Sequence, residues 1–214
     1  MRTEDLIARL AAETRPVPKG AVSRRLSRGL LVGGVAAFAV LLTVFGMRAD
    51  LAGAVLGGSF WMKAAYTAIV GLAGLGLMLR LARPGARPGA LPWIVLGLAT
   101  ALIAVLAAGE LATAAPADRM EIWLGHSWRQ CPVRILLISA PLLVAGLLAM
   151  RRLAPTRPTT AGLAVGLAAG GLGATVYGLH CTESTAAFLA TWYVLGMAAV
   201  GALGALIGAR LLRW

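Results

Sequence analysis

Acidic side chains are scarce in this chain: eight Asp and Glu stand against twenty Lys and Arg, and charged residues of both signs fill only 13% of 214 positions. Aromatic residues are sparse, at 6%, and cysteine and histidine occur twice each. A soluble domain carries about a quarter charged residues, so this composition excludes a water-facing globular surface. The sequence has no HExxH, no GxSxG, no Walker loop and no CxxC. The residues that perform metal-assisted hydrolysis, acyl transfer or nucleotide hydrolysis are therefore not in place.

Apolar residues make up the difference, at 59% of the chain, with 27 glycines among the small ones. Six runs, 30–47, 60–79, 91–109, 135–150, 159–179 and 185–209, can cross a hydrocarbon core of about 30 Å. The expected fold is all-α: a polytopic membrane protein, a bundle of six transmembrane helices with a short cytoplasmic N-terminal segment. Residues 1–29 form a leader and residues 30–214 the transmembrane domain. A cleaved signal peptide is the alternative for the first run, but a polar lead of roughly thirty residues exceeds the usual n-region.

Basic residues set the orientation. They gather in the leader, at Arg80, Arg83 and Arg87, at Arg151, Arg152 and Arg157, and at Arg210 and Arg213. Only Arg48, Lys63, Arg119, Arg129 and Arg134 fall on the other side, diluted there by Asp50, Glu110, Asp118, Glu121 and Glu183. The positive-inside rule places both termini in the cytoplasm. The net charge of +12 is thus a topology signal, aided by anionic lipid, and not a nucleic-acid footprint. Trp61, Trp93, Trp123, Trp128 and Trp214 fall at expected interfaces, while Trp192 lies about two turns inside.

Within the spans, Gly29 and Gly33, then Gly162, Gly166 and Gly170, then Gly204 and Gly208 recur every fourth residue. Such steps let helix backbones approach closely. Lys63, Glu110 and Arg134 sit near outer helix ends, where snorkelling or mutual pairing accounts for them. A transport path through mid-bilayer would need ionisable residues that the runs lack.

Two polar features remain. In the leader, Thr3 is the expected N-cap of a helix with Glu4 and Asp5 in its first turn and a narrow apolar stripe of Leu6, Ile7, Leu10 and Ala11. Pro16 and Pro18 stop it. So short a helix is unstable alone in water, so a partner groove orders it, or it stays a solvated or interfacial segment. The second feature is the outer pair of thiols, Cys131 in "GHSWRQCPVR" and Cys181 in "YGLHCTES". Cys131 opens a helix beside Arg129 and Arg134, which favours thiolate; Cys181 follows a helix C-terminus, which does not. His126 and His180 come to the same face. A structural disulfide, a thiol switch and a soft-metal site all fit these residues.

The leader "TEDLIARLAAETRPV", W-x-x-C-P opening the fourth helix, P-x-x-P-T-x-A-G-x-x-x-G-x-x-A-G, C-T-E-S before F-x-x-x-W-Y, and a terminal LLRW together resemble the NrsF-type membrane anti-sigma factors of proteobacteria. The resemblance runs the length of the chain. It implies a regulator, not an enzyme, which holds an extracytoplasmic-function sigma factor at the bacterial inner membrane through the leader. Asp5, Leu6, Ile7, Leu10, Pro16 and Val17 match the sigma-contact stretch. Cys131 and Cys181 match the family's periplasm-facing cysteines, which respond to heavy metals. The implied partners are the sigma factor and the lipid bilayer, with no direct contact to nucleic acid. No cofactor is required, beyond a transient soft or heavy metal at the cysteine pair, with His126 and His180 as further metal ligands by inference. The alternatives are a membrane thiol–disulfide oxidoreductase, which lacks its second dithiol, and a small transporter, which lacks its mid-membrane charges.

Overall fold

A computed structural model describes residues 2–13 and 20–213, and every regular element among them is helical. The leader helix α1 (Thr3–Glu13) precedes six long ones. The first spanning helix, Ala21–Phe45, is α2 (Ala21–Val40) extended by a π turn, Leu41–Phe45. After a short α3 (Leu51–Ala54) come α4 (Gly58–Leu81) and α5 (Leu91–Thr113), then a short α6 (Arg119–Leu124). The chain continues through α7 (Cys131–Arg151) and α8 (Pro158–Tyr177). The sixth span, Ala186–Leu211, is built from α9 (Ala186–Phe188), a π turn at Leu189–Tyr193 and α10 (Val194–Leu211). All six are long and apolar enough to cross a membrane. The alternation of six spans leaves the Arg-rich connections at one end of the bundle, the basic end, and both cysteines at the other, the thiol end.

At the extremes, hydropathy and burial run in opposite directions, as they can when lipid is the solvent. The most apolar span, α5 (mean hydropathy 2.3), is among the least buried, whereas the least apolar, α8 (1.4), is the most buried. Lipid tails are as apolar as leucine, so the centre is chosen by how closely backbones can pack. Along α8, Gly162 and Gly166 meet α10: a Cβ on Gly162 would lie 2.1 Å from the Gly204 carbonyl oxygen, and one on Gly166 2.5 Å from that of Val200. Gly171 faces α4, where a Cβ would lie 2.2 Å from the Gly71 nitrogen. The Gly29/Gly33 step instead seats α2 on α7, with Gly33 against Leu142 and the Pro141 carbonyl. α7 runs unbroken through Pro141.

The two π turns share one device. In each, the amide following the turn bonds a carbonyl five residues back, Gly46 N–H to Leu41 O and Val194 N–H to Leu189 O. Inside each turn a threonine hydroxyl donates back to the carbonyl four residues earlier: Thr43 to Ala39 O at 2.8 Å, Thr191 to Ala187 O at 3.1 Å.

Some local expectations need correction. The helix that carries the first apolar run begins earlier than the run, at Ala21, with Arg24, Arg25 and Arg28 exposed on its surface. In α1 the Arg2 carbonyl starts the hydrogen-bond ladder, so Thr3 is already inside the helix and is not its cap. Pro16, Val17 and Trp214 lie outside the described residues.

Candidate functional site

The segment 178–185, which joins α8 to α9, is gripped from several helices at once. Lys63 enters from α4. It is 1% exposed, and its ammonium donates to the carbonyls of Cys181 (2.7 Å) and Glu183 (2.8 Å) while lying 5.9 Å from the Tyr193 ring centroid. An ammonium inside a membrane bundle persists only where such acceptors replace water. The expectation that snorkelling or mutual pairing accounts for Lys63 is therefore corrected: its partners are backbone carbonyls 118 and 120 residues away. Arg48, from the loop after the first span, adds a bond to Cys181 O at 3.3 Å. It also binds Asp50 through two bonds of 2.7 Å. This two-pronged pairing holds the Asp50 carboxyl below its usual range and raises Arg48.

Glu183 turns its carboxylate the other way. Its Oε1 accepts the amides of His126 (2.8 Å) and Ser127 (3.1 Å) and the Ser127 hydroxyl (3.2 Å), which fixes the turn leading into α7. Gly125 in that turn has φ 57°, and a Cβ there would lie 2.6 Å from Glu183 Oε2. Thr185 caps α9 and donates to Ile122 O at 2.9 Å. Glu110, at the end of α5, accepts the Ala187 amide at 2.9 Å. Trp192, out of place as an interfacial residue, donates to Trp123 O at 3.0 Å and stacks near Trp123 and Trp128. Its depth reflects a tertiary partner, not a membrane boundary.

Both thiols are free and buried, Cys131 at 0% exposure and Cys181 at 3%. They share one electrostatic cluster with Lys63, Tyr177 and Tyr193. The two tyrosine rings lie 5.6 Å apart, and their buried hydroxyls, which approach Cys181, lack a hydrogen bond of good geometry. The expectation that a helix N-terminus and two arginines favour thiolate at Cys131 meets full burial, and a helix N-terminus activates a thiol only where a reagent can reach it.

The histidines behave differently from one another. His180 Nδ1 lies 2.9 Å from Gly46 O and its Nε2 2.9 Å from Arg134 Nη1. The carbonyl requires a proton on Nδ1, so Nε2 is left to accept from the guanidinium. His180 would have to surrender Arg134 before binding a metal. His126 is exposed and meets the loop through its backbone amide. Among the described residues no group of three or more His, Cys, Asp and Glu is arranged to hold a metal ion.

The leader residues lie far from this chemistry. Asp5, Leu6, Ile7 and Leu10 all sit on α1, every residue of which is exposed, with Leu6, Ile7 and Leu10 at 41%, 61% and 57%. The roles of Lys63, Arg48 and Glu183 were missed at the sequence level. Lys63 did carry a signal, an ionisable residue within an apolar run.

A family model described as NrsF, "Negative regulator of sigma F", matches residues 10–214. The anti-sigma-F factor NrsF of Caulobacter vibrioides (strain NA1000 / CB15N) is 45% identical over 215 residues, spanning 100% of both chains. The probable anti-sigma-F factor NrsF of Azospira oryzae (strain ATCC BAA-33 / DSM 13638 / PS) is 39% identical over 214 residues, again 100% of both. No solved structure matches the chain.

Proposed function

The chain belongs to the NrsF family of negative regulators of sigma F, and on that premise we propose how this anti-sigma factor works: it holds an extracytoplasmic-function sigma factor at a bacterial inner membrane through α1 and releases it when Cys131 and Cys181 meet a heavy metal or an oxidant. The observation that carries the reading is α1 itself. It is an amphipathic helix outside the spans, with no buried residue and with Leu6, Ile7 and Leu10 turned to solvent. Such a stripe is what a groove on a folded partner takes up. With the basic end in the cytoplasm, α1 and both termini lie where a sigma factor is, and the cysteines face the periplasm.

The buried thiol cluster supplies the trigger. Soft metals bind thiolate sulfur, and an oxidant joins two thiols by removing two electrons and two protons. A disulfide changes the shape of this packed pocket and a bound metal its charge as well, where the Tyr177 and Tyr193 hydroxyls already lack a hydrogen bond of good geometry. Lys63 and Arg48 tie this pocket to the backbone, so its rearrangement moves the 178–185 segment and, through Glu183, the start of α7. α7 then acts on α2 at the Pro141–Leu142 contact with Gly33, and α2 leads back towards the leader. Coupling of about 1–3 kcal/mol along this route changes partner affinity five-fold or more.

The test pairs two sets of variants in cells. Leu6→Asp with Leu10→Asp puts charge into the groove and is expected to abolish sigma-factor capture at normal protein levels. Cys131→Ser or Cys181→Ser is expected to keep repression and lose induction. Retained repression in the double Asp variant refutes α1 as the binding element, and retained induction in both serine variants refutes the trigger.

A further inference from the structure

At the basic end, α2 and the end of α7 border a groove of about 530 Å³. Arg25 and Arg28 border it from α2, and Arg151 and Arg152 from α7. All four are exposed, and among the described residues none has an ion pair or hydrogen-bond partner beyond its own helix ladder. Among the described residues no carboxylate lines the groove. Its floor is apolar, formed around Gly29 with Val32 and Leu148 exposed on its flanks.

We propose that this groove is a binding site for an anionic phospholipid of the leaflet at the basic end. The four guanidiniums hold the headgroup phosphate, and an acyl chain lies along the Val32–Leu148 floor. Two features select this occupant. Arginine forks match phosphate oxygens bidentately, and the charge of these four is not offset by any acid among the described lining residues. A free anion leaves the apolar floor without a role, whereas a lipid uses both parts, as basic pockets between transmembrane helices do. The site spans the α2–α7 contact, so a bound lipid clamps the two helices through which the thiol end would reach the leader.

Full-length protein in phosphatidylcholine bilayers carrying trace spin-labelled phosphatidylglycerol or spin-labelled phosphatidylcholine tests this. The immobilised fraction is expected to favour phosphatidylglycerol, and the variant R25Q/R28Q/R151Q/R152Q to lose that preference by at least about five-fold. A matched variant of exposed arginines at the same end, R83Q/R87Q/R157Q/R213Q, is expected to keep it. The pairs R25Q/R28Q and R151Q/R152Q, one on each helix, give the same readout if the four-fold variant fails to fold, each with an intermediate loss. Equal preference for the two lipids in the unaltered protein overturns the proposal. So does equal loss in the matched variant, which means general surface charge. Displacement of the lipid by inorganic phosphate at matched concentration also overturns it, because the site then reads only an anion. Competition by purified sigma factor, with no lipid preference, would assign the groove to the protein partner instead.

Discussion

The two ends of the bundle treat charge in opposite ways. At the thiol end Lys63, Arg48, Arg134, Glu110 and Glu183 are each bound to a carbonyl, an amide or a side chain of another segment. At the basic end Arg25, Arg28, Arg151 and Arg152 project without such partners. Few charges used as internal fasteners make a closed end whose parts move together. Many charges left free make an open end fit for lipid and protein. A sensor needs the first property and a docking face the second, and one short chain carries both because its charges are so unevenly satisfied.

The strongest way to break the contrast is to undo the closed end at its most buried fastener. Lys63→Met leaves the Glu183 carbonyl unpaired and the Cys181 carbonyl with only the longer bond from Arg48, at about 1–3 kcal/mol for a buried group left without its partner. The melting temperature is expected to fall, and alkylation of Cys181 in the otherwise intact protein to rise by about ten-fold or more. Unchanged alkylation would mean that the 178–185 segment is held by something other than Lys63.

A smaller effect sharpens the comparison within the thiol end. In reduced protein with one cysteine at a time, both thiols are expected to react slowly, at rates within about three-fold of each other. Both then wait on the same opening of the segment, as buried thiols do. If Cys131 reacts far faster across the neutral range, its helix N-terminus governs reactivity and burial does not.

The smallest effect belongs to Arg48 and Asp50, at the rim. Asp50 has its pKa lowered in the fold, so the stability it adds is present above the unfolded aspartate value and is lost as pH falls through the folded one. Arg48, raised, stays charged throughout. Asp50→Asn should lower the melting temperature slightly at neutral pH and converge with the unaltered protein at acid pH, so that the acid limb of a melting curve followed by the Trp123–Trp128–Trp192 cluster is flatter. An identical acid limb in the variant would show that the pair does nothing for the closed end.

Much of the bundle was legible in the sequence. Six apolar runs became six spans, and the glycines at 162, 166 and 170 do face those at 204 and 208 or their neighbours, because spacing by four fixes a helix face. The role of Lys63 was not legible. Its acceptors are carbonyls, which every residue carries, and only the return of the chain more than a hundred residues later brings them near. Trp192 was visible as an anomaly but not as an anchor, for the same reason. The cysteines were read as a pair but not as buried, since helix position gives polarity along an axis and says little about which neighbour covers it. Asp5, Leu6, Ile7 and Leu10 sit on a local helix, which local pattern reads well.

The π turns have a consequence in the arithmetic of chain length. Each is an α-helix with one residue too many, accommodated by a wider loop of backbone and a threonine hydroxyl. Deleting one residue from 189–193 would let the sixth span close into ordinary α-helix with all its amides satisfied. Everything before the deletion would then turn by about 100° around the axis. Ala187 would swing away from Glu110 and Thr185 from Ile122, although no residue at either contact had changed. Homologous chains that preserve this end should therefore tolerate substitutions within the turn more readily than a single-residue insertion or deletion there.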